Sequence, residues 1–192
     1  CLNRALKRQP KRPDLWNNLA LAQDEMGNRD EAAQAYRRCL ELDPDHGAAE
    51  GNLGMCLLAQ GKLIPGFQAY EARWKRADMP PRPFAQSQWS GEDLGGKTIL
   101  LHAEQCLGDT LQFCRYAPLV KRRGAAKLVL ETQAPLAALM QGLEVVDLVV
   151  AQNQGALPDF DLHCPLLSLP TVFKTSLLSI PANTPYLKAF EN

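Results

Sequence analysis

The sequence predicts an α + α/β protein, in which helical hairpins precede a doubly wound parallel α/β unit. In the first part of the chain, residues recur at a spacing of 34, and a period of this length is typical of repeated helical units. Further along, short apolar runs alternate with helical patterns, which indicates parallel strands with helices on the faces of the sheet. Prolines at 80, 81 and 83 separate the two patterns. We therefore expect a repeat domain at residues 1–79 and an α/β domain at residues 80–192.

The composition of the 192 residues excludes several classes of protein. The 21 basic and 21 acidic side chains give a formal net charge of +0, which argues against a nucleic acid or an anionic membrane as partner. No apolar run approaches the roughly 18 residues of a membrane span. Six cysteines are scattered without a C-x-x-C pair, so we expect free thiols, no metal site and a cytoplasmic protein. Because Cys1 lies within a helical pattern, we also expect the chain to be part of a longer protein.

Each repeated unit is predicted as a helix, a glycine turn, a second helix and a proline stop. In the first unit the helices extend over 14–26 and 29–42, Gly27 lies between them and Pro44 ends the unit. The second unit starts at Gly47, one period of 34 residues after Pro13, where the first unit starts. Two full repeats and the tail of a preceding one are therefore expected.

The α/β unit is predicted from its alternating pattern. Pro118 is expected to kink the first of its helices, and Trp74 and Trp89, on either side of the prolines, are expected to pack at the joint of the two domains. The predicted strands are 98–103, 127–131, 145–150 and 161–164, and the predicted helices are 110–123 and 135–142.

The loop between the first strand and its helix is the main candidate for chemistry. Ligands of open α/β sheets bind beyond the carboxyl ends of the strands, and Asp109 lies there at a predicted helix start. A structural role is equally compatible with the sequence, because Asp109 and Gln112 have the spacing of a capping box. His163 is predicted to end the last strand at the same edge, whereas His102 is expected to be a hydrogen-bonded core residue. Glu104 is either a second acid of the site or an ion-pair partner of Arg115 or Arg122.

One set of residues in the first repeated unit defines a recognisable pattern: Trp16, Leu19, Ala20, Ala32, Tyr36, Cys39 and Pro44. With this pattern the repeated region resembles the tetratricopeptide repeat, which implies a protein or peptide partner. Asn18 and Asn52 share one position of the repeat and resemble the asparagine ladder with which O-GlcNAc transferases hold an extended peptide. Amide side chains can both donate to and accept from a peptide group.

The second region resembles the first, Rossmann-like half of bacterial glycosyltransferase-B proteins that follow tetratricopeptide repeats, in segments 100–116 and 160–170. These proteins are related to heptosyltransferases and, more distantly, to O-GlcNAc transferases. In heptosyltransferase-like enzymes a Leu-Gly-Asp triplet supplies the acid that takes a proton from the acceptor hydroxyl, and here it is Leu107-Gly108-Asp109. The resemblance thus implies that Asp109 is catalytic. It further implies an acceptor-binding role for Glu104, Gln105, Gly108, Thr110 and His163.

These resemblances imply a fragment of a sugar-transferring enzyme, in which the repeats bind a protein or peptide acceptor. The nucleotide-sugar donor of such enzymes binds mainly in a second Rossmann-like domain. No cofactor is therefore expected in this fragment, which alone should not catalyse transfer. The alternative is a scaffold for protein–protein interaction, in which the α/β unit has no catalytic role.

Overall fold

The computed structural model describes residues 2–76 and 80–188. The chain forms two compact units, with a boundary between Arg82 and Pro83, and residues 174–178 group with the first unit. Met79, where the predicted boundary falls, lies outside the described residues.

The first unit is built from helical hairpins at the predicted period. Gly27 and Gly61 form the equivalent turns of the two repeats, with φ of 83° and 73°, a left-handed conformation that glycine adopts without strain. Each turn joins two helices whose facing sides are buried. The helices are α1 (Leu2–Arg8), α2 (Pro13–Glu25), α3 (Arg29–Leu42), α4 (Gly47–Ala59) and α5 (Leu63–Tyr70), followed by a 3₁₀ turn at Glu71–Lys75.

Small residues allow the two helices of the second hairpin to approach closely. A Cβ added to Gly54 of α4 would lie 2.6 Å from the backbone N of Tyr70 and 2.9 Å from the carbonyl oxygen of Gly66. Ala20 and Ala32, at the equivalent positions of the first hairpin, are fully buried. The recurrence of small residues seen in the sequence therefore has a steric cause.

The second unit contains a parallel sheet, so the predicted fold class, α + α/β, is confirmed. Among the described residues its strands lie in the order β1-β5-β2-β3-β4, and every pair is parallel. They are β1 (Ser87–Gln88), β2 (Thr98–His102), β3 (Lys127–Thr132), β4 (Leu148–Ala151) and β5 (Leu162–Pro165). The helices are α6 (Leu107–Phe113), α7 (Ala117–Lys121), α8 (Ala137–Met140) and α9 (Leu169–Val172).

Several elements differ from those predicted. The helix expected at 110–123 starts at Leu107 and is interrupted by a 3₁₀ turn at Cys114–Tyr116; α7 then starts at Ala117, and Pro118 lies in its first turn. Strand β4 starts at Leu148 instead of 145, because the Val146 N–H bonds to the Leu143 carbonyl in a turn. Strand β1 was not predicted.

The order in which strands are added to the sheet changes side next to β2. Strands β2, β3 and β4 follow one another to one side, whereas β5 pairs with the opposite side of β2, between Ile99–Leu162 and His102–Pro165. Such a switch point opens a crevice at the carboxyl ends of the two strands concerned. The loops that follow β2 and β5 therefore border the candidate site.

Each of the two tryptophans that flank the prolines has partners in its own unit. Trp89 is fully buried, lies edge-to-face on Phe173 and donates its indole N–H to the Glu92 carbonyl at 2.9 Å. The Arg73 guanidinium lies 4.4 Å from the Trp74 ring centroid. Each unit therefore supplies, by itself, the packing partner of its own tryptophan.

Candidate site at the carboxyl edge of the sheet

Asp109 lies at the start of α6 and forms a capping box with Cys106. Its Oδ2 accepts the Cys106 backbone N–H at 3.0 Å, and the Cys106 sulfur accepts the Asp109 N–H in return. The capping box predicted between Asp109 and Gln112 is therefore wrong: Cys106 is the N-cap and Asp109 is the third helical residue. The sequence obscured this box because cysteine is not among the preferred N-cap residues.

One oxygen of the Asp109 carboxylate is held by this cap, and the other remains available. Among the described residues, Oδ1 has no hydrogen-bond partner, and the side chain is half-buried. The neighbouring Gly108 is exposed, and an added Cβ there would have nothing within 4 Å. The geometry thus leaves open space beside an oriented carboxylate.

Glu104 bonds across the switch point. Its Oε1 accepts the Leu167 backbone N–H at 3.1 Å, in the 3₁₀ turn Leu166–Ser168 that follows β5. The suggested ion pair with Arg115 is not the arrangement found, because that guanidinium donates to the Pro181 carbonyl and lies 4.5 Å from the Tyr186 ring centroid.

Thr110 is bonded to a residue from the neighbouring strand's loop, Gln133. Thr110 is only 1% exposed, and its hydroxyl donates to Gln133 Oε1 at 2.8 Å. The amide nitrogen of Gln133 donates to the Gln105 carbonyl at 3.0 Å and more weakly to that of Cys106 at 3.5 Å. The Thr110 side chain therefore serves the loop, and Gln105 takes part through its backbone.

A second glutamine extends this support. Gln152 follows β4, and its Nε2 donates to the Ala103 carbonyl at 2.9 Å. Sequence reasoning did not identify Gln133 or Gln152, since a glutamine after a strand matches no motif. The loop after β2 is thus bonded to side chains or backbone from the loops after β3, β4 and β5.

His163 lies inside β5 instead of ending it, which corrects its predicted position. The strand continues to Pro165, and His163 is 9% exposed. Its Nδ1 is 3.2 Å from Nε2 of His102, which is 2% exposed, as expected of a core residue. Phe84 packs on both rings, with centroid separations of 5.4 Å and 4.8 Å. This histidine belongs to a buried ring cluster.

In the first unit, Asn18 and Asn52 occupy the same position, the sixth residue of α2 and of α4. Asn18 is exposed and Asn52 is half-buried. Leu21 and Met55 lie three residues further along each helix and are exposed to 38% and 57%. Residues three apart share one helix face, so each first helix presents an amide beside an apolar side chain.

A separate groove of about 410 Å³ lies between α2 and α3. Its apolar lining residues are buried or half-buried, whereas most of its polar and charged ones are exposed. The lining residues are Trp16, Leu19, Gln23, Glu31, Gln34, Ala35 and Arg38.

Within residues 2–76 and 80–188, no cluster of three or more histidine, cysteine or acidic side chains is arranged to hold a metal ion. In the same residues, no helix has the length and hydropathy needed to cross a membrane.

Comparison with known proteins identifies the repeat. Residues 13–46 match the tetratricopeptide repeat family profile. Over 119 residues the chain is 30% identical to Protein FlbA of Caulobacter vibrioides, a match that covers 59% of this chain and 20% of FlbA. The chain therefore spans about a fifth of the length of this curated relative.

Among solved structures, a mutant O-GlcNAc transferase from Thermobaculum terrenum is similar, with a TM-score of 0.38 and 16% sequence identity. The match covers 77% of this chain and 36% of the transferase chain. The predicted recognition of the repeat is confirmed by the profile match: residues 13–46 are a tetratricopeptide repeat, which this chain combines with a parallel α/β unit.

Proposed function

We propose that this chain is part of a bacterial tetratricopeptide-repeat glycosyltransferase and forms the acceptor side of its sugar-transfer site. The observation that supports this most is the Asp109 carboxylate, which one hydrogen bond orients at the switch point while Oδ1 remains available. Glycosyl transfer to a hydroxyl requires a base within hydrogen-bond reach of the attacking oxygen. Asp109 would take that proton.

The donor, a nucleotide-sugar, would bind a second Rossmann-like domain of the parent protein, in the glycosyltransferase-B arrangement. The crevice bordered by Gly108 and Asp109 would then receive the acceptor hydroxyl. We place the protein in the cytoplasm, where the five described cysteines would remain as the free thiols that they are in this structure.

The test is Asp109→Asn in the full-length parent, assayed for sugar transfer with a panel of nucleotide-sugars. Asparagine still accepts the Cys106 N–H, so the fold should persist, whereas an amide cannot take the proton. Transfer should fall about 100-fold or more. Asp93→Asn is the matched control, because Asp93 also accepts a backbone N–H, that of Gly95 at 2.7 Å, but lies before β2. Equal transfer by the Asp109→Asn and unaltered proteins would exclude the catalytic role.

A second candidate function, a non-catalytic scaffold for protein–protein interaction, is favoured by Asn18 and Asn52 at equivalent helix positions. Their amides would bind the backbone of an extended peptide acceptor or partner. In this case Asn18→Ala with Asn52→Ala should weaken partner binding, and Asp109→Asn should change nothing. Asn28→Ala, in the turn before α3, is the matched control for the loss of an amide.

A further inference from the structure

We propose that Gln133 is a positioning residue, which holds the loop after β2 so that the Asp109 carboxylate stays oriented. This inference rests on the proposed function for its catalytic part. Its structural part rests on the hydrogen bonds of one amide group and can be tested without any substrate.

The orientation of the Gln133 amide follows from its partners. The Gln105 and Cys106 carbonyls only accept hydrogen bonds, so the nitrogen of Gln133 must face them, at 3.0 Å and 3.5 Å. Its oxygen consequently faces Thr110, whose hydroxyl donates at 2.8 Å. A buried hydroxyl without a partner would cost free energy. The amide nitrogen of Gln133 therefore binds the backbone before α6, and the amide oxygen binds the Thr110 hydroxyl.

The Gln133 amide forms hydrogen bonds on both sides of the capping box. Gln105 and Cys106 precede α6, whereas Thr110 directly follows Asp109. The amide thus spans the turn in which the Cys106 N–H binds Asp109 Oδ2. Because Gln133 holds backbone carbonyls before Asp109 and the Thr110 side chain after it, the position of the carboxylate depends on Gln133 although the Asp109 and Gln133 side chains do not bond to each other.

Gln133 is itself held in place. It follows β3 directly and is the N-cap of the 3₁₀ turn Ala134–Leu136. Strand β3 pairs with β2 along its length, from Thr98–Lys127 to His102–Glu131. The amide therefore starts from a rigid part of the sheet, which is the usual arrangement for a group that supports a functional site.

Gln133→Glu is the sharpest variant, because it keeps the shape but places a carboxylate oxygen against two carbonyl oxygens. In the 192-residue chain, amide hydrogen exchange at Cys106 reports whether Asp109 still accepts that N–H. We expect this exchange to accelerate about 10-fold or more. Gln154→Glu, an exposed glutamine after β4, is the matched control and should leave exchange at Cys106 unchanged.

Thr110 provides a second pair of variants if Gln133→Glu perturbs the fold. Thr110→Val removes the hydroxyl and should accelerate exchange at Cys106, whereas Thr110→Ser keeps the hydroxyl and should restore the slow exchange. Slow exchange in both Gln133→Glu and Thr110→Val would overturn the proposal.

The catalytic part is tested in the full-length parent by separating kcat from KM. A displaced base should lower kcat about 10-fold or more, while KM for the nucleotide-sugar, bound elsewhere, should change little. If Asp109→Asn abolishes transfer and Gln133→Glu retains the full kcat, the positioning role is wrong and the proposed function stands. If Asp109→Asn retains transfer, the proposed function and the positioning for catalysis both fail, and exchange at Cys106 still decides whether Gln133 holds the loop.

Discussion

Glu104 and Leu167 are joined by a hydrogen bond between a carboxylate oxygen and a backbone N–H 3.1 Å away, although 63 residues separate them. The first residue follows β2 and the second follows β5. These two strands are the ones between which the chain order reverses. The bond therefore connects both sides of the crevice.

We expect Glu104→Ala to lower the free energy of unfolding by about 1.5 kcal/mol, because the backbone N–H of the buried Leu167 loses a charged acceptor. Glu104→Gln retains an oxygen at the same place and should cost less. Urea unfolding followed by circular dichroism measures both. Glu144→Ala removes an exposed carboxylate that bonds to Lys188 and should stay within about 0.5 kcal/mol. Equal effects of the three variants would contradict a structural role for the Glu104 bond.

Two glycines of α4 should respond to alanine in opposite directions. An added Cβ at Gly54 would meet the Tyr70 and Gly66 backbones, whereas one at Gly51 has nothing within 4 Å. We expect Gly54→Ala to destabilise the chain by about 1–3 kcal/mol through overpacking. Gly51→Ala should stabilise it by about 1 kcal/mol, since glycine is a poor helix former. Thermal unfolding of both variants makes the comparison, and a stabilising Gly54→Ala would mean that α4 and α5 are not in close contact.

Asp147 should make the stability of the chain sensitive to acid. The hydrogen bond from Lys121, and next that from the Leu128 N–H, lower the pKa of this carboxyl, at 2.6 Å each. A lowered pKa in the folded state favours the ionised form. The contribution of Asp147 to the free energy of unfolding is therefore complete above the ordinary carboxyl pKa of about 4 and is lost as the pH falls below it.

Because the Asp147 and Lys121 side chains are 40% and 30% exposed, solvent screens this pair and the contribution should stay below about 1 kcal/mol. Between pH 5 and pH 3, approximately the range of this titration, Asp147→Asn should lose less stability than the unaltered chain. Lys121→Met removes the largest cause of the lowered pKa and should reduce the loss in the same direction. A steeper loss in either variant would contradict the assignment.

The cysteines should react in an order set by burial. Cys106 is exposed, whereas Cys39, Cys56, Cys114 and Cys164 are buried. Burial raises the pKa of the Cys114 thiol to about 12, although the Arg115 charge opposes it, and only the thiolate attacks a disulfide reagent. In a Cys1→Ser chain, one thiol should therefore react before unfolding and four after it. Cys106→Ser should remove the early reaction, and an early reaction that survives would place a different cysteine at the surface.

The repeats could be predicted because each constraint recurs within the sequence. Gly27 and Gly61 are one period apart, and so are Ala20 and Gly54, where the helices meet. A short two-residue strand such as β1 has no periodicity to detect, since its place depends on β5 far along the chain.

The sequence correctly placed the candidate loop at the end of β2, but it did not predict the hydrogen bonds that the loop forms. A capping box is a local pattern, yet the partner of Asp109 in this box is Cys106, an unusual N-cap residue, and not Gln112. Gln133 and Gln152 reach the loop only because parallel strands place their carboxyl ends side by side. The end of β5 was placed too early because proline is a poor strand residue, although Pro165 pairs with His102.

The strand order also sets the order in which the α/β unit can fold during synthesis. Strands β2, β3 and β4 can pair as they emerge, but β1 pairs only with β5. Ser87 therefore cannot pair until Leu162 has been synthesised. A nascent chain that has not reached residue 162 exposes unpaired strand edges, which are prone to association with other chains. The crevice between β2 and β5 is consequently the last part of the sheet to close.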